Sequence, residues 1–250
     1  MRKDKSASSE DVDQEARNEV LGTDGGSVPA TTGGGGPMVL GGISGEVNAR
    51  DIELPRLQLA YGVGKLSETY NPGDWVLNKD TFLAKKGDPV TMIIVSAHKY
   101  WKEYLDFGTG VLPRLFDTDQ EVLDNGGTIN WSNGPDGQRV GPTFRPAIDI
   151  KLLVRAPEDT VGAAFGIELG DYSYAPAQYS ADKSAYKEVG PQILTASSFS
   201  LRTRGLQSGI FQLHSRTEKI NNNNTIVPAI RLIGNLSDGE LEQLTALFPA

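Results

Sequence analysis

Three observations predict a mainly β protein, built as a partly open barrel with long loops and a short C-terminal helix. Val90–Val95 is apolar on both faces and rich in β-branched residues, as a strand buried in a sheet core is. About five to seven short apolar or alternating runs, separated by Gly, Pro and Asn turn signals, suit a sheet that curls toward closure. The clearest helix signal lies at the end of the chain, where Ser237 and Glu240 have the spacing of a capping box.

Residues 1–49 combine charged and small polar residues with the run Gly33–Gly36. Such a segment buries too little apolar surface to offset its ordering entropy, so a disordered, acidic, Gly-rich tail is expected. TTGGGGPM lacks the lysine and following Ser/Thr of a phosphate-binding loop and reads as linker. A single β domain over 50–250 follows. Leu57, Leu59 and Tyr61 alternate as in a half-buried strand, and Pro55 places its start at an edge. Asn71-Pro-Gly-Asp74 is a turn that delivers Trp75–Leu77 into a second strand.

Lys85–Pro89 leads into the central strand. If that strand stays extended past Val95, His98, Tyr100, Lys102 and Tyr104 share one face, while Trp101 and Leu105 point to the core. Were Lys99–Leu105 helical instead, Tyr104 would join Trp101 on the buried side. Residues 108–145 read as a long irregular loop in which Thr128–Trp131 forms one arm of a hairpin.

Ile148, Ile150, Leu152 and Val154 alternate as the next strand, with Ala163–Leu169 as its antiparallel partner across the turn Ala156–Thr160. Within 171–206, Pro191 is expected to open a helix that Gly205 stops. Gly209–His214 and Thr225–Ile233 read as two strands. The last helix carries a Leu236–Leu241 staple and an apolar stripe of Leu241, Leu244, Leu247 and Phe248 that docks on the body.

Composition narrows the chemistry. The absence of cysteine removes disulfides, thiolate metal sites and cysteine nucleophiles, and fits a reducing cytoplasm. No apolar run approaches the roughly 20 residues of a membrane span, and the N-terminus lacks the apolar core of a signal peptide, so no membrane association is expected. The only histidines, His98 and His214, fall in strands without a hydrolase or zinc motif around them. Asp117, Asp119, Glu121 and Asp124 lack the glycine and closing glutamate of a calcium loop and read as a solvated acidic loop. Neither an enzyme nor a cofactor is expected. Net charge is −8, of which residues 1–53, with five Lys/Arg and ten Asp/Glu, supply −5; the body is nearly neutral and has room for a local basic face.

His98, Tyr100, Lys102 and Tyr104 would form such a face, with rings to stack on bases and cations to neutralise phosphates; Arg202 and Arg204 would add backbone contacts from a neighbouring segment. The competing reading makes the same tyrosines caps of the core at a sheet edge, with lysine stems lying beside them. Trp131 and the cluster Tyr172–Tyr179 offer a third reading, a sugar-binding surface.

The opening strand Leu54-Pro-Arg-Leu-Gln-Leu59, the turn Pro72-Gly-Asp-Trp75, the strand running into Lys99-Tyr-Trp-Lys102 and the closing Val227-Pro-Ala-Ile-Arg-Leu-Ile-Gly234 before a short helix resemble a group of tailed-bacteriophage proteins, several of them single-stranded DNA-binding or replication-associated. The likeness covers residues 51–248 in broad order. The long region 108–145 departs from it, as does the lack of a strongly acidic C-terminal tip. It implies an oligonucleotide-binding (OB-like) barrel and a non-catalytic single-stranded DNA-binding protein acting in phage DNA replication or recombination in the host cytoplasm. The acidic tail would then contact replication or recombination proteins, and association into a homo-oligomer stays open. The main rival is a virion structural or assembly protein with no nucleic-acid site, in which the tail and the terminal helix mediate packing.

Overall fold

In a computed structural model, which describes residues 53–248 apart from 107, 109, 159–163 and 221, the apolar run at Val90 becomes the longest strand of a mainly β fold. The tail expected over 1–49 lies outside the described residues. Leu57–Leu59 (β1), Trp75–Leu77 (β2) and Thr81–Ala84 (β3) make a small antiparallel sheet. The expected turn before β2 is held by Asp74, whose carboxylate accepts from the backbone N–H of Asn71 at 3.0 Å and of Lys86 at 3.3 Å. Val90–Glu103 (β4), Leu115–Phe116 (β5), the helix Asp119–Asp124 (α1) and the hairpin Ser132–Asn133 (β6) with Arg139–Val140 (β7) come next. Phe144–Arg155 (β8), Ile167–Leu169 (β9), Tyr172–Ala181 (β10), the helix Lys183–Thr195 (α2), Gly209–Ile220 (β11), Asn223–Asn235 (β12) and the helix Asp238–Leu247 (α3) complete the order.

Seven of these strands form one unclosed antiparallel sheet in the order β12-β11-β4-β8-β10-β9, with β5 also on β4. One face of that sheet, the small sheet and α2 enclose the main core: Met92, Ile94, Ile150 and Leu152 meet Trp75 and Leu77 from one side and Val189 and Ile193 from the other. On the reverse face α3 covers one end, where Leu236 and Leu244 pack on Ile93, Leu153 and Tyr174. The other end of the reverse face carries no helix among the described residues. Its strand residues Ser96, His98, Asp149, Lys151 and Ser180 are exposed.

A β-bulge at Val95 sets which side chains reach which face. Ile94 pairs with Leu152 and Ser96 with Lys151, so Val95 is the extra residue. Even-numbered residues point to the core before it and odd-numbered ones after it, which is how Met92 and Trp101 are both buried. Pairing of β11 with β4 ends at Ile93, just before the bulge. From His214 onward β11 pairs only with β12.

Four expectations are corrected. Residues 167–169 pair with β10 rather than β8; the partner of β8 is β10, from Tyr174 to Ala181. Helix α2 begins at Lys183, with Pro191 inside it. The hairpin of the long loop is formed by 132–133 and 139–140, not by Thr128–Trp131. The acidic segment at Asp117 is not an open loop but α1, whose Thr118–Glu121 capping box closes its first turn.

Candidate nucleic-acid interface

The reverse face of β4 presents His98, Tyr100 and Lys102 in a row, as alternation expects, and Trp101 on the opposite side is buried with its indole N–H donating to Asp119 Oδ1 at 2.7 Å. Each of the three is matched to a carboxylate. His98 Nε2 lies 3.0 Å from Asp117 Oδ1, and its ring stacks on that of Tyr100 at 5.9 Å. The Tyr100 hydroxyl donates to Asp149 Oδ1 at 3.3 Å; burial first, then the Asp149 charge, push its phenol up to about 12. Lys102 Nζ donates to Asp182 Oδ2 at 2.8 Å. A polyanion approaching this row meets one cation, Lys102, that already has a partner.

Tyr104 differs. It sits just past the end of β4 with its ring 42% exposed. The Arg145 guanidinium lies 3.8 Å from its ring centroid and Lys183 Nζ 5.4 Å. Arg145 stands opposite Lys102 in the β4–β8 register, a like-charge pair that is tolerable because Lys102 is neutralised by Asp182 and Arg145 rests on an aromatic ring. Lys183 opens α2 with φ at 51°, in the left-handed region that costs a non-glycine residue roughly 1–2 kcal/mol. Asp182, at the cap position before it, gives no side-chain hydrogen bond to the helix because its carboxylate serves Lys102.

These residues line a cleft of about 280 Å³ whose walls include Lys102, Tyr104, Val111, Arg145, Asp182 and Lys183. A second hollow of about 400 Å³ shares Arg145, Pro146 and Lys183 with it and continues to Trp131, Tyr186 and Lys187. Trp131 is 56% exposed, and the Arg139 guanidinium lies 5.1 Å from its ring centroid. Gly141 keeps Trp131 and Arg145 together: a Cβ there would stand 3.4 Å from the indole and 3.8 Å from Arg145 Nη2.

Carboxylates also border the groove, but most are occupied. Glu103 accepts three bonds from Arg114, two from the guanidinium at 2.7 and 3.0 Å and one from the backbone N–H at 3.2 Å, which hold its carboxyl below the usual range; Glu188 and Glu218 both pair with Arg216. Among the described residues no carboxylate lies within ion-pair distance of Arg139, Arg145, Lys183 or Lys187. Asp106, in the wall of the first hollow, has no ion-pair partner among the described residues either, but Arg139, Arg145, Lys183 and Lys187 outnumber it, so the net uncompensated charge of the groove is cationic, and it flanks two exposed aromatic rings.

The structure thus brings His98, Tyr100, Lys102 and Tyr104 together and separates Arg202 and Arg204 from them. Arg204 donates to the Leu236 carbonyl at 3.0 Å and to Asp238 at 2.6 Å, tying down the start of α3. Arg202 is exposed beyond the far end of α2. Sequence reading missed Arg145, Lys183 and Lys187, whose proximity to Tyr104 depends on a strand register and a helix start that no local pattern encodes. Among the described residues no group of three or more His, Asp or Glu is placed to hold a metal ion. The chain matches no protein-family model, no curated protein and no solved structure.

Proposed function

We propose that this protein binds single-stranded DNA without catalysis, along the groove from Tyr104 to Trp131. The observation that carries the reading is an exposed ring, Tyr104, set against two cations, Arg145 and Lys183, that have no carboxylate partner among the described residues. Rings that stack on any base and cations that follow the phosphates are what sequence-tolerant single-strand binding requires. The choice of DNA, and a place in phage replication or recombination, follow the resemblance drawn from the sequence. The row His98–Tyr100–Lys102 has a supporting part in this reading, with Lys102 and Asp182 fixing the cleft wall beside Tyr104.

Fluorescence anisotropy with a labelled oligothymidylate tests it. Tyr104→Ala and Arg145→Ala each weaken binding by about fivefold to 100-fold, the loss of one stacked base or its phosphate anchor. Wild-type affinity in both variants would remove the groove as the site. A second reading, a virion assembly protein, draws on Val111 and Leu112, which stand exposed on the loop beside the cleft. Recovery of the chain in purified particles, with no oligonucleotide binding, decides for it.

A further inference from the structure

The segment Lys183–Arg204 stands out in an acidic chain. Its charged residues are Lys183, Lys187, Glu188, Arg202 and Arg204, against a net charge of −8 for the whole sequence. Glu188 is taken by Arg216 and Arg204 by Asp238. Lys183, Lys187 and Arg202 have no ion-pair partner among the described residues. The outward side of α2 is therefore a stripe of uncompensated cations that starts in the groove and leads away from it.

At the far end of this stripe the helix widens into a π turn, Ala196–Ser200, closed by the Leu201 N–H donating to the Ala196 carbonyl at 2.8 Å. In an unbroken α-helix Phe199 would stand about 120° round from Lys187, off the stripe. The wider turn spends more residues per revolution and swings Phe199 back toward the line of Lys187 and Leu194. Phe199 is 78% exposed, while Leu201 beside it is buried and anchors the turn. Arg202, also exposed, follows at once. An exposed ring and, three residues on, a guanidinium with no ion-pair partner among the described residues offer the same two groups as Tyr104 and Arg145, here without contact between them.

We infer that the π turn is a second stacking station, at which Phe199 takes a base and Arg202 a phosphate of the same single strand, after it leaves the Tyr104 groove along Lys183 and Lys187. This rests on the single-strand reading of that groove. Sixteen residues of helix separate Lys183 from Phe199, about 24 Å, which corresponds to roughly seven nucleotides at the 3.4 Å stacked spacing and fewer in a stretched strand. The site length is then within the range of about 4–16 nucleotides known for single-strand-binding folds.

Strand length separates the two stations. Affinities of the full chain are measured for labelled oligothymidylates of about four and about twelve nucleotides, which bracket one station and both. Phe199→Ala weakens the longer strand by about tenfold and leaves the shorter unchanged. Arg202→Ala lowers the salt dependence of the longer strand by about one phosphate contact. If Phe199→Ala weakens both lengths equally, or neither, while Tyr104→Ala weakens both, the second station is wrong and the groove stands. If the wild-type chain binds neither strand, the groove and its extension fall together.

Discussion

Lys102 and Arg145 face each other across two strands, yet only one of them is free to meet an anion. The difference is Asp182, whose carboxylate holds Lys102 at 2.8 Å while both side chains remain about two-fifths exposed. Such a pair contributes little to stability, since solvent screens it, but it cancels one positive charge at the mouth of the cleft. Replacing Asp182 by Asn keeps a good helix-cap residue and releases the lysine. Asp182→Asn is expected to tighten oligonucleotide binding about fivefold at roughly 0.1 M salt, the worth of one added phosphate contact. Anisotropy titrations of the variant and the wild type check it, and unchanged affinity would mean that Lys102 faces no phosphate. For the same reason His98 and Tyr100 are weaker candidates than their exposure suggests: each already has a carboxylate within hydrogen-bonding reach.

At the scale of single elements, β4 joins three apolar clusters through one strand: Met92 and Ile94 enter the main core, Ile93 the core under α3, and Trp101 a third. Its second half is anchored by Trp101, which packs with Val122 and Phe144 and donates to Asp119 at 2.7 Å. Trp101→Ala is expected to cost about 3–5 kcal/mol in urea unfolding, the usual range for truncating a buried aromatic side chain. β4, the inward Trp101 and the capped α3 were legible in the sequence because each rests on local signals: β-branched density, period-two alternation, and a Ser/Glu pair three residues apart. β10 and α2 were not legible, and proline is the reason. Pro176 lies inside β10 where β9 has ended and only β8 pairs with it; Pro146 in β8 lies beyond the reach of β10. A proline is tolerated in a strand where one side needs no donor, but that vacancy is known only once the neighbours are. Inside α2, Pro191 removes one backbone bond at a cost of about 3 kcal/mol, offset by burial of Ala185, Val189 and Ile193. Neighbouring Gly190 has no room for a side chain because the Tyr186 ring lies against it. Read locally, Gly-Pro is a helix boundary; tertiary packing overrides it.

For the molecule as a whole, charge decides how the groove works. A chain of net charge −8 repels a polyanion at long range, so attraction depends on the few cations that stand unpaired around Tyr104. With Arg145, Lys183 and Lys187 as phosphate contacts, the slope of log affinity against log salt is expected near −2, and about a fourfold rise in salt lowers affinity about 20-fold. A flat salt response would exclude phosphate contacts altogether. Arg204 shows why the cationic residues could not be assigned from sequence: its guanidinium is committed to α3, thirty-four residues further along the chain. The overall architecture also bears on how the strand that carries Tyr104 tolerates change in length. Because Val95 has no counterpart on β8, β4 holds one residue of slack. A chain that lost Val95 would keep every later side chain on its present side and merely straighten; a chain that gained a residue there differs from it by one full pleat, so Trp101 and Tyr100 would again keep their sides, but a straight β4 would slide two places along β8 and carry Lys102 away from Arg145.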